Sequence, residues 1–160
     1  MDAVRSRWSS APDVSRLTCR PVDGPLDRAT HHRIRHEVFV VEQGLFAVDD
    51  HDVHDNDAAT IHVLGLDDGC PAGTVRLYPL GAGVWKGDRL AVLPDHRRSS
   101  LGAPLVRFAV ATAGALGGSR MVAQIQTANV RFFQALGWTR VGDPADYLGV
   151  LHQQMSIALR

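Results

Sequence analysis

Cysteine is nearly absent from this chain. Cys19 and Cys70 are the only two in 160 residues. They lie far apart and form no C-x-x-C pair, which argues against a disulfide framework or a zinc ribbon and suits a reducing cytoplasm. An excess of either charge is also lacking: 17 Lys and Arg balance 17 Asp and Glu, and the pI is about 7.1. No nucleic-acid partner is therefore implied. No apolar run reaches the length of a membrane span, and the opening MDAVRSRWSSAPDVSR has arginines and serines where a signal peptide would have its apolar stretch. Residues 1–16 are expected to be a flexible tail, and residues 17–160 a single domain with no membrane partner. No internal period suggests a repeat architecture.

What is present is ordinary globular material, 45% apolar and 21% charged. Arg16 to Arg20 can form a first strand, closed by Pro21 and the Asp23-Gly24-Pro25 turn. Ile34, Val38, Val41 and Leu45 then recur at helical spacing, so an amphipathic helix ending near Gly44 is expected, with Phe39 and Phe46 extending its apolar face. The run from Asp49 to Asp57 collects carboxylates and imidazoles. It lacks a glycine at the calcium-loop position and a helical H-x-x-x-H, so it reads as a solvated loop and no metal is expected. Thr60 to Gly65, Val75 to Tyr78 and Val84 to Val92 alternate as a three-strand meander with glycine turns between them. Met121 to Ile125, Thr139 to Asp143 and Leu151 to Leu159 read as further strands, and Thr127 to Leu136 as a helix.

The chain is organised around Leu90 to Arg107. The apolar strand Leu90-Ala91-Val92-Leu93 stops at Pro94, and a turn with two arginines, two serines and a glycine opens a helix. Pro104 has no N–H and is tolerated only in a first turn, so the helix must begin just before it. Free amides at that start, together with Arg97 and Arg98, suit a diphosphate.

Arg97-Arg98-Ser99-Ser100-Leu101-Gly102 resembles the R-x-x-G-x-G/A signature of the GNAT superfamily of acyl-CoA-dependent N-acyltransferases. Ser100 stands where the first glycine normally sits. Arg35 to Gln43 resembles the R-x-x-V-F-V-x-E-Q stretch of one GNAT branch, a branch similar to acyl-homoserine-lactone synthases, and Asn129 to Trp138 resembles N-x-x-F-Y-x-x-L-G-F/W, with Phe133 in the usual tyrosine position. Trp85 to Val92, and Tyr147, Gly149, His152 and Met155, are similar to a bacterial subfamily often encoded beside nitrilase-like and radical-SAM genes. The resemblance spans about residues 17–159.

The resemblance implies an α/β (α+β) GNAT fold, with a mixed twisted sheet of six or seven strands, about four helices, and a gap between the strands Val84–Val92 and Met121–Ile125. It implies a cytoplasmic acetyltransferase that moves an acetyl or short acyl group from acetyl-CoA, or another acyl-CoA, to a primary amine of a small molecule, and it leaves room for a homodimer. Arg97, Arg98, Ser99, Ser100, Leu101, Gly102 and Ala103 would surround the diphosphate, Leu90, Ala91 and Val92 the pantetheine arm and thioester, with Asn129, Phe132 and Phe133 beside the arm. Asp88 is the first candidate for the base, with His62, Glu42 and His152 behind it. Each has a structural alternative: Asp88 can pair with Arg89 or Arg76, His62 can be a hydrogen-bonded strand residue, and Glu42 can brace the first helix. Phe133 cannot protonate the departing thiolate, which leaves Tyr147, His152 or water. Ser100 and Phe133 also admit a second function, a catalytically degenerate protein that binds CoA or a partner without turnover.

Overall fold

The computed structural model describes residues 16–160, so of the expected tail only Arg16 falls within it. Period-two alternation builds one sheet from β1 (Leu17–Pro21), β2 (Ile61–Asp67), β3 (Cys70–Gly81), β4 (Val84–Val92), β5 (Arg120–Gln126), β6 (Thr139–Arg140), β7 (Ala145–Tyr147) and β8 (Val150–Ala158). The order is β1-β2-β3-β4-β5-β8-β6, with β7 also on β8. Every pairing is antiparallel except β4 with β5, which the helix α2 (Gly102–Ala115) connects. This is the expected mixed fold, with two very short strands, β6 and β7, beside the longer ones.

The two faces of the sheet differ. Val63, Val75, Leu77, Trp85, Met121, Ala123, Ile125 and Met155 form an apolar face, on which α2 and α3 (Val130–Ala135) lay Leu101, Leu105, Val106, Ala109, Val130 and Phe133. Contact here is close. A Cβ on Gly73 would stand 2.8 Å from both Leu105 Cδ1 and the Ala91 carbonyl, so the missing side chain lets α2 seat against β3.

Cross-strand partners share a face, so the opposite side carries His62, Arg76 and Asp88 in one row and Tyr78, Lys86 and Val122 in the next. At one end it is covered by α1 (Gly24–Arg35) and the segment after it, where Ile34, Val38 and Phe39 pack on Leu64, Leu66 and Ala91.

That segment corrects a sequence expectation. His36–Glu42 is a π-helix, not a continuation of α1. Its wider turn carries the Val41 side chain off the apolar stripe and leaves it 71% exposed, although its spacing from Ile34 and Val38 is that of an α-helical core position. The helix Thr127 to Leu136 likewise divides into a 3₁₀ turn (Thr127–Asn129) and α3, and the strand expected over Thr139 to Asp143 keeps only two residues.

Candidate active site

β4 and β5 pair at only three positions, Val84 with Arg120, Trp85 with Met121 and Lys86 with Val122. Beyond Lys86 the two strands part, leaving the β4 amides and carbonyls that face β5 without a strand partner. The expected gap is present. It opens a cleft between the two strands. Met121, Ala123, Ile125, Val106 and Phe133 line it from the apolar side; Lys86, Asp88, Gln124, Gln126 and His152 line it from the polar side. The cleft therefore passes through the sheet.

A bulge shapes its β4 wall. Thr74 pairs with Ala91 but Arg76 pairs with Asp88, so Val75 stands against both Arg89 and Leu90. Arg89 takes φ 53°, a left-handed conformation that costs a non-glycine residue of order 1 kcal/mol or more. Thr74 Oγ1 donates to the Arg89 carbonyl at 2.9 Å, and the Arg89 guanidinium is held by Asp50 and lies over the Phe46 ring. These contacts stabilise the strained residue. The extra residue puts Ala91 on the same face as Asp88.

At the end of β4, Pro94–Ser99 forms a 3₁₀ turn and Ser100 takes φ 65° before α2 begins. The left-handed conformation accounts for a glycine being usual at the position of Ser100. Leu101 precedes α2 without a side-chain cap, and Pro104 lies in the first turn, so the leading amides at Gly102 and Ala103 are left for another partner. Phe132 lies beside Gly102, where an added Cβ would meet its ring at 3.4 Å. The Leu101 side chain is fully buried in the core, so only its backbone can serve the turn. Ala91 is likewise buried, and Leu90, Asn129 and Phe133 line the cleft. Arg97 pairs with both oxygens of Glu42 and donates from Nε to the Val92 carbonyl at 3.1 Å, tying the turn to the end of the π segment. That pairing draws the Glu42 carboxyl below its ordinary range. Arg98 and Ser99 complete the turn.

The polar face holds an ion network that corrects the expectation of a solvated Asp49–Asp57 loop. Asp50 and Asp55 are buried. Arg35, fully buried, donates to Asp50 Oδ2 at 2.7 Å and to Asp55 Oδ1 at 2.7 Å; Arg76, also fully buried, holds Asp88 at 2.8 and 2.6 Å and Asp52 at 2.6 and 2.9 Å. Arg89 joins at Asp50, so three guanidiniums meet four carboxylates, and Arg28 adds a bond to the Asp55 backbone carbonyl. Buried guanidiniums require such partners, which is why the acidic run folds inward. Burial alone would raise the Asp55 carboxyl; the bonds from Arg35 and the Asp52 amide pull it well below the usual range.

Hydrogen bonding fixes three histidine tautomers, because a carbonyl can only accept. His31 Nδ1 donates to the Val63 carbonyl at 3.1 Å, so its Nε2 accepts from His62 Nδ1 at 3.3 Å. His62 Nε2 is then a buried lone pair with no partner among the described residues. Burial, then the charge of Arg28, brings the His62 pKa down to about 4. His152 Nδ1 donates to the Val150 carbonyl at 2.8 Å, which leaves the lone pair on Nε2; His152 lines the cleft, and its ring centroid lies 5.2 Å from that of Tyr147. Of the four base candidates, then, Asp88 and His152 line the cleft, while Glu42 and His62 belong to the networks beside it.

Sequence reasoning overlooked Lys86, Gln124 and Gln126 as cleft residues, and Arg35, Asp50, Asp52 and Asp55 as one network. Period-two alternation in β4 and β5 was the available signal for the first group. No group of three or more metal-ligand side chains is placed to hold an ion among the described residues, and no described helix is long and apolar enough to cross a membrane.

Comparison with known proteins agrees with this geometry. The acetyltransferase (GNAT) family model matches residues 26–138. An uncharacterized N-acetyltransferase of Bacillus subtilis, YjcF, is 31% identical over 124 residues, covering 76% of this chain and 86% of its own. Among solved structures, an acyl-CoA N-acyltransferase from Pseudomonas aeruginosa superposes with a TM-score of 0.74 at 24% identity, covering 88% of this chain and 97% of that one. A CoA-dependent acyl-homoserine lactone synthase, BjaI, superposes at 0.72 with 20% identity, covering 90% and 83%.

Proposed function

Because the chain belongs to the acetyltransferase (GNAT) family, we propose that it transfers an acetyl or short acyl group from acyl-CoA directly to a primary amine of a small molecule, both substrates being bound together. The parting of β4 from β5 carries this reading, since it supplies a channel for a thioester and unpaired backbone donors beside it. The diphosphate is received by the Arg97–Ala103 turn and the leading amides of α2. The arm passes Leu90, Ala91, Val92, Asn129, Phe132 and Phe133. A β4 amide facing the gap stabilises the oxyanion as the amine attacks the thioester carbonyl.

His152 is the base in this reading. Its Nε2 carries the free lone pair, whereas both oxygens of Asp88 already accept from Arg76. Asp88 holds Arg76 and the polar wall in place. The amine proton passes to His152, the thioester C–S bond breaks, and the thiolate leaves without an acid from the protein. The two cysteines, Cys19 and Cys70, are free thiols, which suits a cytoplasmic enzyme.

Titration calorimetry with acetyl-CoA and a free-thiol screen over a panel of amines test the proposal together. Acetyl-CoA should bind, Gly102→Glu should abolish binding by placing a negative charge at the diphosphate turn, and at least one amine should release thiol. Tight binding with no thiol release from any amine would favour the non-catalytic alternative to which Ser100 and Phe133 point.

A further inference from the structure

The charges that line the cleft do not all have partners. Asp88 is held by Arg76 and Arg89 by Asp50, both within the buried network described above. Lys86 is the third charged residue of the lining, and it pairs with no carboxylate among the described residues. Its position is fixed by the sheet. It is the last β4 residue paired to β5, on the same face as Asp88 and about 6.6 Å from it along the strand. Gln124 and Gln126 stand on that face of β5 and also line the cleft, and the Gln126 amide donates to Gln43 Oε1 at 3.1 Å. The apolar side of the cleft, under α2, is where the proposed diphosphate turn lies, so an acceptor meets the polar side.

We propose that Lys86 selects the acceptor class: the amine acylated by this protein also carries a carboxylate, and the Lys86 ammonium holds that carboxylate at the polar mouth of the cleft. This rests on the acyltransferase reading above. A neutral amine would leave the lone cation unanswered, whereas an amino acid, or a longer amine with a carboxylate, matches its charge. Gln124 and Gln126 can donate to the same oxygens.

The test separates this inference from the reading on which it rests. Calorimetry on the CoA-saturated protein compares N-acetyl amino acids with their primary amides, which have the same shape without the charge. The carboxylates should bind about ten-fold tighter or more, as a charge-assisted hydrogen bond provides. Lys86→Met should remove that preference and Lys86→Arg should keep it; both variants retain the half-buried stem, and their unfolding midpoints should match wild type. Equal affinity for acid and amide, or no binding of either, overturns the inference. In the thiol-release assay amino acids should outrun their amides, and the gap should close in Lys86→Met. Acylation of amides and plain amines in preference to amino acids overturns the Lys86 assignment while leaving the acyltransferase intact. Acetyl-CoA binding without acylation in either series overturns both.

Discussion

The buried histidines predict a steep loss of stability on mild acidification. Burial first, then Arg35 and His62, hold the His31 pKa down to about 2, and burial with Arg28 holds His62 at about 4, against an ordinary 6.5. His31 also faces His32, and His62 faces Asp55 and Arg76; the attraction of Asp55 is too small to restore the charge. The unfolded chain therefore binds more protons than the folded one between pH 6.5 and the depressed values. Stability is full above 6.5 and falls as the pH falls below it. Each group contributes about 1.4 kcal/mol per pH unit once its unfolded form is protonated. Two groups over roughly two units, from pH 6.5 to 4.5, then remove about 5 kcal/mol, a large part of the 5–15 kcal/mol typical of a domain. His32 is also held down, to about 4, but it is half-exposed and solvent discounts its share. Asp52 and Asp55, whose carboxyls the guanidiniums hold below the ordinary range, lose their stabilisation only below about pH 4, so they do not mask the effect. Urea unfolding at pH 7.5, 5.5 and 4.5, followed by fluorescence, measures it. Replacing His62 with Gln should remove about half the slope. A loss under about 1 kcal/mol between pH 7.5 and 4.5 would refute the reasoning.

Three further outcomes are expected. Ser100→Gly relieves the left-handed strain at φ 65° and opens the turn, so unfolding free energy should stay level or rise by up to about 1 kcal/mol and acetyl-CoA should bind more tightly by calorimetry. His152→Gln should lower kcat by about 10²- to 10⁴-fold with acetyl-CoA affinity unchanged, and the pH–rate profile should lose its acidic limb, the rise in rate as the base deprotonates; an unchanged profile would remove His152 from the role of base. Phe133→Tyr should raise kcat and Tyr147→Phe should leave it level, because the thiolate is proposed to leave unassisted; a collapse in Tyr147→Phe with folding intact would make that phenol the acid.

Much of the fold was legible in the residues. Alternation in Val84 to Val92 gives β4 to the residue, and Pro104 fixes the start of α2 because a proline cannot sit deeper in a helix. Three features were not legible, each for a physical reason. The π turn at His36–Glu42 breaks no sequence rule, so Val41 keeps a core-like spacing while facing water. Asp50 and Asp55 look solvated until Arg35 is brought to them across 15 and 20 residues by the fold. The bulge at Arg89 depends on Thr74 and Asp50, neither of which is adjacent in sequence, and without it the parity of Leu90 and Ala91 reads the wrong way. In the candidate site, the turn proposed to receive the diphosphate lies in one contiguous stretch. The polar wall is not contiguous, since it is assembled from three separate strands.

That the cleft runs through the sheet bears on traffic. A reactant arriving over α2 and one arriving over Lys86 use separate doorways and meet only where β4 and β5 part. If the proposed function holds, neither has to wait for the other to enter, and spent CoA would withdraw by its own side while the acylated product leaves by the other. On the proposed function, free CoA should then compete with acyl-CoA for entry but leave the amine's doorway clear.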